Sequence, residues 1–206
     1  MPRLRDPEAR ASERRSQILT EAIQVFGDKG YHAANIADIA KRLGLGHGTF
    51  YRYFKSKLDI FDAVVDGIIA AITELVLAES ATASGSLEDY RAQLGRIGAR
   101  FLAIFEQHQR LSRLIFYEGL VVDPVIGAKI RQVMELFARY TEAYLENGKA
   151  KGYLRADLDS EITARAINAM IFESINHIAK DADGRAAGRR WQEAIVRLML
   201  DGMRVR

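Results

Sequence analysis

Apolar residues recur at intervals of three and four positions along most of the chain, which is the spacing of one face of an α-helix. The stretch 12–29 is the first example, and its apolar positions are Ile18, Leu19, Ala22, Ile23 and Phe26. The strict alternation of apolar and polar residues that marks a strand occurs nowhere in the sequence. We therefore predict an all-α fold with about nine helices.

Residues that favour helix ends divide the chain further. Ser56–Asp59 and Ser86–Asp89 are typical of capping boxes, and Asp123-Pro124 combines an N-cap residue with a proline suited to the first helical position. The segment 80–85 contains only alanine, serine, threonine and glycine, and we predict a linker there. The predicted helices cover 12–29, 36–43, 47–54, 56–79, 86–107, 110–119, 124–147, 160–180 and 188–204.

The second and third of these helices are short and are joined by a turn that contains Gly44 and Gly46, an arrangement typical of a helix-turn-helix. In the third helix only Phe50 and Phe54 are expected to point inward. Its outer positions carry glycine, threonine, tyrosine, arginine and histidine, and no acidic residue. Such side chains can donate hydrogen bonds to phosphates and to base edges, so this helix is a candidate for contact with DNA.

Basic residues are concentrated near the start of the chain. The formal net charge is +3, and residues 1–60 hold 11 Lys and Arg against 7 Asp and Glu, whereas the remainder holds 19 against 20. A basic segment attached to a nearly neutral body suggests an anionic partner, although solvated surface charge would give the same balance. Lys55 and Lys57 follow the third helix directly and are placed to hold phosphates.

The run that begins at Ile18, ILTEAIQVFGDKGYHAANIADIAKRLGLGHGTFYRYFKSKLDIFDAVV, resembles the DNA-binding domain of the tetracycline-repressor (TetR-like) family of bacterial transcription regulators. The sequence departs from the family at Gly46, where serine or threonine is frequent, and at His47, where lysine or arginine is common. By this resemblance, and by the chemistry of the outer face, the predicted DNA-binding residues are Asn35, His47, Gly48, Thr49, Tyr51, Arg52, Tyr53, Lys55 and Lys57.

We predict a flexible tail over 1–11, a helix-turn-helix domain over 12–55, and a second domain over 56–206. The resemblance implies that the second domain binds a small effector and forms a homodimer through its last two helices. Those helices carry apolar stripes that either form a four-helix interface between subunits or pack on the subunit's own core. The predicted interface residues are Ile162, Ala166, Ala169, Met170, Trp191, Ile195, Leu198 and Met199.

Interior positions of the second domain supply the candidates for an effector site. Aromatic residues at helical spacing are more often core than pocket, whereas polar residues on an apolar face need partners and are more informative. Since few interior positions are charged, the expected effector is largely apolar. The candidate residues are Phe101, Phe105, Tyr117, Glu118, Phe137, Tyr140, Glu173, Asn176 and His177.

Several classes of function find no support in the sequence. The absence of cysteine excludes disulfides and thiolate chemistry, and it suits a reducing cytoplasm. Glu173 and His177 are spaced to share a metal ion with a third ligand, but such pairs are more often ion pairs. Gly44–Thr49 fails the dinucleotide-binding fingerprint. We expect a cytoplasmic protein without signal segment, membrane span, metal, cofactor or catalytic residues.

The sequence therefore predicts a ligand-responsive transcriptional repressor that binds a palindromic double-stranded DNA operator as a dimer and is released by a small effector. One alternative is a helical protein or enzyme that binds a hydrophobic ligand and does not bind DNA. The acid-free outer face of the third helix argues against it. A second alternative is a transcriptional activator of the same fold.

Overall fold

The computed structural model describes residues 7–106, 114–178 and 180–205, and the side chains of His47, Phe105, Glu106, Leu114 and Tyr117 lie outside this described part. The described residues form helices and contain no strand, so the predicted all-α fold is confirmed. A π-helical turn, Leu114–Glu118, precedes α6. The helices are α1 (Pro7–Ala33), α2 (Ile36–Arg42), α3 (His47–Phe50), α4 (Lys57–Leu77), α5 (Leu87–Glu106), α6 (Gly119–Val122), α7 (Pro124–Ala150), α8 (Ser160–Ile178) and α9 (Gly184–Met203).

The largest differences from the predicted bounds are at the start of α1, at the end of α3, in the region 110–119, and at the start of α9, which begins at Gly184 rather than at residue 188. Helix α1 begins at Pro7, so residues 7–11, predicted to belong to a tail, are helical. Helix α3 ends at Phe50 rather than at Phe54, because the Tyr53 amide bonds the Phe50 carbonyl three positions back, at 2.9 Å, and the next residues form a turn. Of the helix predicted over 110–119, residues 110–113 lie outside the described residues, and Leu114–Glu118 form the π-helical turn.

The chain divides into two compact units, Met1–Ile68 and Ile69–Arg206. The first unit is built on the apolar face of α1, where Ile18 and Phe26 are fully buried. Phe26 packs edge-on against Phe61 of α4, with ring centroids 5.5 Å apart. Phe50 and Phe54 are buried in the same unit, as the sequence predicted. Helix α1 is interrupted at Gly30, whose φ of 75° and ψ of 164° are not helical, so the helix is kinked where the sequence predicted its end.

The second unit contains the packed helices α5, α7, α8 and α9. Two glycines allow α5 and α9 to approach closely. A Cβ atom on Gly98 of α5 would lie 2.6 Å from the amide nitrogen of Gln192, and one on Gly188 of α9 would lie 2.7 Å from a methyl group of Leu102. The core of this unit contains Tyr90, Tyr144, Leu145, Leu154, Ile167, Ile195, Met199 and Leu200.

The segment 80–85, predicted to be a linker, is held against the second unit by hydrogen bonds. The buried hydroxyl of Ser84 donates to Gln93 at 2.8 Å, and Gln93 in turn donates to the Ser80 carbonyl at 2.8 Å. Asn147 and Lys151 of the α7 end donate to the Ser84 carbonyl at 3.0 and 2.8 Å. Side chains distant in the sequence therefore donate hydrogen bonds to the backbone carbonyls of this loop, and the loop is attached to the second unit although it contains no charged residue.

None of the described helices combines the length and the apolar character needed to cross a membrane.

Candidate nucleic-acid interface and ligand cavity

Helix α2 is fixed at its start by a reciprocal cap. The Asn35 side chain accepts from the Asp38 amide at 3.0 Å, and the Asp38 carboxylate accepts from the Asn35 amide at 3.2 Å. The Lys29 ammonium lies 2.8 Å from Asp38, and its hydrogen bond holds the pKa of that carboxyl below its usual value. Asn35 is exposed, so it is accessible for the predicted phosphate contact, although its side chain also caps α2.

The turn before α3 depends on a glycine conformation. Gly44 has φ +62°, in the left-handed region that residues with a Cβ rarely adopt. The chain then turns so that the Gly46 carbonyl accepts from the amides of Thr49 at 3.0 Å and Phe50 at 3.2 Å, which starts α3. Gly46 therefore begins the helix through its backbone alone, without the hydroxyl that the family often provides there.

The two residues predicted to point inward from α3 and the following turn, Phe50 and Phe54, do so, and the residues around them are more exposed. Phe50 and Phe54 are buried, and the Arg15 guanidinium lies 4.8 Å from the centre of the Phe54 ring. Tyr51 is 51% exposed. Gly48, Arg52 and Lys55 are exposed, whereas Thr49 and Tyr53 are half-buried.

The same surface carries no acidic residue between Asp38 and Asp59. The Asp59 carboxylate is engaged in capping α4, because it accepts from the Lys55 amide at 2.8 Å while its own amide donates to the Ser56 hydroxyl at 3.1 Å. This confirms the capping box predicted at Ser56–Asp59. The surface from 44 to 58 therefore presents hydrogen-bond donors and positive charge, which suits contact with phosphates.

Lys57 has a different environment from the one that the sequence suggested. Its ammonium group donates to the carbonyls of Tyr31 at 2.8 Å, Ala34 at 2.9 Å and His32 at 3.2 Å. It also lies 4.4 Å from the centre of the Tyr31 ring. An ammonium has three N–H donors, so all three already have acceptors in the protein. The predicted phosphate contact of Lys57 would have to compete with these bonds.

A cavity of about 130 Å³ lies among the helices of the second unit, and its wall is mostly apolar. Three of the predicted effector residues, Phe101, Phe137 and Tyr140, line it. The side chains of Phe105 and Tyr117 lie outside the described residues. The wall also contains residues that were not predicted from the sequence, among them Tyr90, Leu94, Thr141, Asn168 and Gln192.

The other four effector candidates are not part of the cavity wall. Glu173 and His177 are about half exposed and lie 2.9 Å apart, one turn from each other on α8. The His177 ring also packs against Trp191, with centroids 5.3 Å apart. Asn176 and Glu118 likewise do not line the cavity. On α8, the cavity is lined by Ile167, Asn168, Ile171 and Ser174, whereas Glu173, Asn176 and His177 are not among its lining residues. Glu118 belongs to the π-helical turn Leu114–Glu118 and not to α8.

Asn168 is the most unusual polar residue of the cavity wall. It is 4% exposed, and its carbonyl oxygen accepts from the Thr141 hydroxyl at 3.0 Å. Its amide nitrogen is the single buried side-chain nitrogen or oxygen without a hydrogen-bond partner among the described residues. A buried N–H group without an acceptor costs free energy, so this nitrogen marks a place where an acceptor would be stabilising.

The predicted interface residues fall into two groups. Ile162 and Leu198 are 61% and 63% exposed, and Ala166 and Ala169 are exposed as well. Met170 and Trp191 are half-buried. In contrast, Ile195 and Met199 are 8% and 5% exposed and line the cavity from within, so the structure moves these two residues from the predicted interface to the core.

Comparison with known proteins agrees with this architecture. The family model for bacterial regulatory proteins of the tetR family matches residues 18–64. The HTH-type transcriptional activator FasR of Mycolicibacterium smegmatis is 32% identical over 60% of this chain and 54% of its own length, so the match spans about half of that relative. The HTH-type transcriptional repressor KstR2 of Rhodococcus jostii is 28% identical over 75% of this chain and 74% of that protein.

The fold is found in solved structures as well. A transcriptional regulator from Saccharomonospora viridis, solved in complex with choline, superposes with a TM-score of 0.79 at 21% identity, over 95% of this chain and 100% of that one. These two relatives are transcriptional regulators and not enzymes, one of them an activator and the other a repressor. The helix-turn-helix in the first unit, the helical second unit and these matches lead to one conclusion. The chain is similar to the TetR-like family of bacterial regulatory proteins, in the helix-turn-helix matched over residues 18–64 and in its fold.

Proposed function

We propose that this regulator is a ligand-responsive repressor that binds a palindromic operator as a homodimer. The observation that carries the proposal is the exposed, acid-free surface formed by α3 and the turn after it. Because Phe50 and Phe54 anchor this segment from below, its outer residues are held in fixed positions rather than on a mobile loop. In this proposal the segment enters the major groove.

Two glycines support the assignment of this surface to DNA. A Cβ atom on Gly46 or on Gly48 would meet no other atom within 4 Å, and neither residue has the positive φ that demands glycine. Packing within the protein therefore gives no reason for glycine at either position. A backbone that must approach a DNA strand closely does give such a reason.

The contacts would be shared between exposed and half-buried side chains. Tyr51, Arg52 and Lys55 project to solvent and are suited to base edges and phosphates. Thr49 and Tyr53 are nearer the protein surface and are suited to the sugar-phosphate backbone.

A palindromic operator follows from a two-fold dimer. The large apolar side chains Ile162 of α8 and Leu198 of α9 are mostly exposed in the single chain, and exposed Ala166 and Ala169 would allow close helix approach. Four helices, two from each subunit, would then bury this face. Half-sites would be separated by about one or more turns of ~10 bp.

The ligand response is supported by the cavity in the second unit. Its wall is built from aromatic and aliphatic side chains with few polar groups, which is the usual composition of a small-molecule site. An effector that binds more tightly to one conformation of the dimer than to another would shift the population toward that conformation and so change the affinity for DNA. DNA would then change the affinity for the effector by the same factor.

Activation of transcription is the second candidate, because one of the relatives, FasR, is an activator. The two functions differ in sign and not in DNA contacts. A reporter gene placed behind the operator separates them, since loss of the regulator raises expression under a repressor and lowers it under an activator.

The DNA-binding part is tested by selecting bound fragments from a random DNA pool, with an inverted repeat as the expected product. Arg52→Ala should weaken binding to the selected site by about tenfold at fixed salt. Arg91→Ala removes the same side chain from an exposed site in the second unit and should change affinity by less than about twofold. Equal losses in the two variants, with both folded, would contradict the proposed surface.

The ligand part is tested on the protein–DNA complex. Lipophilic acids, acyl thioesters, aromatic compounds and choline are added, and compounds that raise the melting temperature of the free protein are then tested for release of the DNA. We expect at least one compound to do both. Stabilisation without release would contradict the response while leaving DNA binding intact.

A further inference from the structure

Charged side chains alternate in sign along one exposed face of α9. They occur at spacings of three and four residues, which places them on one side of the helix, and we call them the α9 stripe: Arg190, Glu193, Arg197 and Asp201. All of them are exposed and line an open groove on the surface of the second unit. Ala194 and Leu198 lie in the same groove, and Leu198 is 63% exposed. The groove therefore combines an apolar centre with ordered charges on both sides of it.

The charges of the α9 stripe are hardly used within the single chain. In the part of the chain that the structure describes, the side chains of Arg190, Glu193 and Arg197 form no ion pair. Asp201 has one long contact, in which its carboxylate lies 3.9 Å from the guanidinium of Arg204. Exposed charges of this kind contribute little to the stability of a chain. They are therefore available to a partner that presents the complementary order of charges.

Two-fold symmetry allows a helix to pack on its own copy in two directions. If the two helices run parallel, each residue faces its own copy, so Arg190 would face the partner's Arg190 and Glu193 would face the partner's Glu193. If they run antiparallel, residues at equal distances on either side of the axis face each other. Like charges that face each other weaken an interface, whereas opposite charges favour association and fix the register. The alternating signs of the α9 stripe therefore favour the antiparallel direction.

The same residues define the register of an antiparallel pair. Three pairs of groove residues have their midpoints within 195–196, and they are Arg190 with Asp201, Glu193 with Arg197, and Ala194 with Leu198. A two-fold axis at this level puts every arginine of the stripe opposite a carboxylate. It also puts each leucine of the apolar centre against the partner's alanine, whose small side chain allows close approach. The two outer ion pairs would lie about 16 Å apart, at the rise of an α-helix.

We propose that the α9 helices of two copies pack antiparallel about a two-fold axis at the level of 195–196, with Arg190 opposite the partner's Asp201 and Glu193 opposite the partner's Arg197. The inference rests on the proposed homodimer and adds the direction, the register and the charges by which a second copy of this chain is selected. Each dimer contains both ion pairs twice. A related chain with another order of charges on this helix would place like charges together and would be rejected.

The test reverses one charge at a time in the full-length protein without DNA. In a homodimer of Arg190→Asp, carboxylates would face each other at both outer positions, and in a homodimer of Asp201→Arg, guanidinium groups would. Sedimentation over a range of concentrations should show that each variant dimerises at least about tenfold more weakly than wild type. Arg189→Asp is the matched control, because Arg189 is exposed on α9 but does not line the groove. Its dimerisation should stay within about twofold of wild type.

A mixture of the two variants assigns the effect to the proposed pairs. When one copy carries Arg190→Asp and the other carries Asp201→Arg, opposite charges face each other at both outer positions. Native mass spectrometry should therefore find about nine-tenths of the dimers to be mixed, whereas random pairing gives about half. The chain that carries both substitutions should dimerise within about threefold of wild type, since its outer pairs are exchanged but again opposite in charge.

Two results would overturn the inference and leave the proposed homodimer intact. They are dimers of wild-type strength in both single variants, and random pairing in the mixture. A monomeric wild type would overturn the homodimer together with the inference, whereas the DNA selection reports on DNA binding independently. Circular dichroism shows whether each variant folds. If a variant of the outer pair does not fold, Glu193→Arg and Arg197→Glu repeat the test on the inner pair, with the same expected results.

Discussion

Lys55 and Lys57 are two residues apart, and the structure gives them opposite environments. The Lys55 side chain is exposed beside α3, whereas the Lys57 ammonium donates to three carbonyls at the end of α1. The sequence alone assigned phosphate contacts to both. We now predict that replacing each lysine with methionine, which keeps the length of the side chain, will produce different losses.

The magnitude for Lys57→Met follows from the bonds that are lost. A hydrogen bond to a charged group contributes about 1.5–3 kcal/mol, but the three bonds share one half-buried ammonium and the freed carbonyls can bind water. We therefore expect a loss of about 2 kcal/mol in the free energy of unfolding. In a chain of this length that corresponds to a fall of about 4–8 °C in Tm. DNA affinity, measured well below Tm, should change by less than about twofold.

Lys55→Met is the matched control. Its Tm should stay within about 1–2 °C of wild type, since an exposed lysine contributes little to stability. Its DNA affinity should fall, and the slope of the logarithm of affinity against the logarithm of salt concentration should decrease by about one. Circular dichroism melts and fluorescence anisotropy at three salt concentrations measure both quantities. If Lys57→Met melts like wild type and loses the same salt dependence as Lys55→Met, the intramolecular role of Lys57 is refuted.

Three further predictions concern the second unit. Gln93→Leu should lower the free energy of unfolding by about 2 kcal/mol, because the buried Ser84 hydroxyl loses the acceptor that lies 2.8 Å away. A urea titration in which the free energy of unfolding falls by less than about 0.5 kcal/mol would contradict this. Sedimentation should give a particle near twice 23.1 kDa, and Leu198→Asp should halve it; a wild-type monomer at micromolar concentration would contradict the dimer. The pKa of Glu79 is lowered by its hydrogen bond with Arg96, so the stability it contributes is present at neutral pH and is lost as the pH falls through the lowered pKa. Arg96→Gln should therefore reduce the drop in Tm between pH 7 and about pH 3, and an unchanged drop would exclude this ion pair as a cause.

Helix ends could be predicted from the sequence because their chemistry is local. The caps at Ser86 and Asp123 need only a side-chain oxygen and amides two or three residues away, and both are present, at 3.1 Å to Asp89 and 2.8 Å to Val125. The start of α1 was missed since Pro7 and the charged residues after it have no apolar periodicity. The π-helical turn before α6 has no known signal in composition either.

The cavity could be predicted only in part, since it depends on residues far apart in the sequence. Phe101, Phe137 and Tyr140 were found because aromatic residues at helical spacing are candidates for any interior position. Thr141 and Asn168 are 27 positions apart and meet only because α7 packs on α8. One signal for Asn168 was available, as it lies four residues after the buried Ala164 and seven before the buried Ile175, on the apolar face of α8.

The role of a glycine cannot be predicted from the sequence alone, because it depends on the atoms that surround it in the folded protein. The sequence presents Gly48 and Gly98 as equivalent interruptions of helical stretches. In the structure a Cβ atom on Gly98 would displace the Gln192 side chain, whereas a Cβ atom on Gly48 would enter empty space. A glycine that lowers helix stability without serving its own fold needs an external explanation, since glycine costs about 1 kcal/mol relative to alanine in a helix. Close approach of the backbone at Gly48 to DNA would supply that explanation and agrees with the proposed interface.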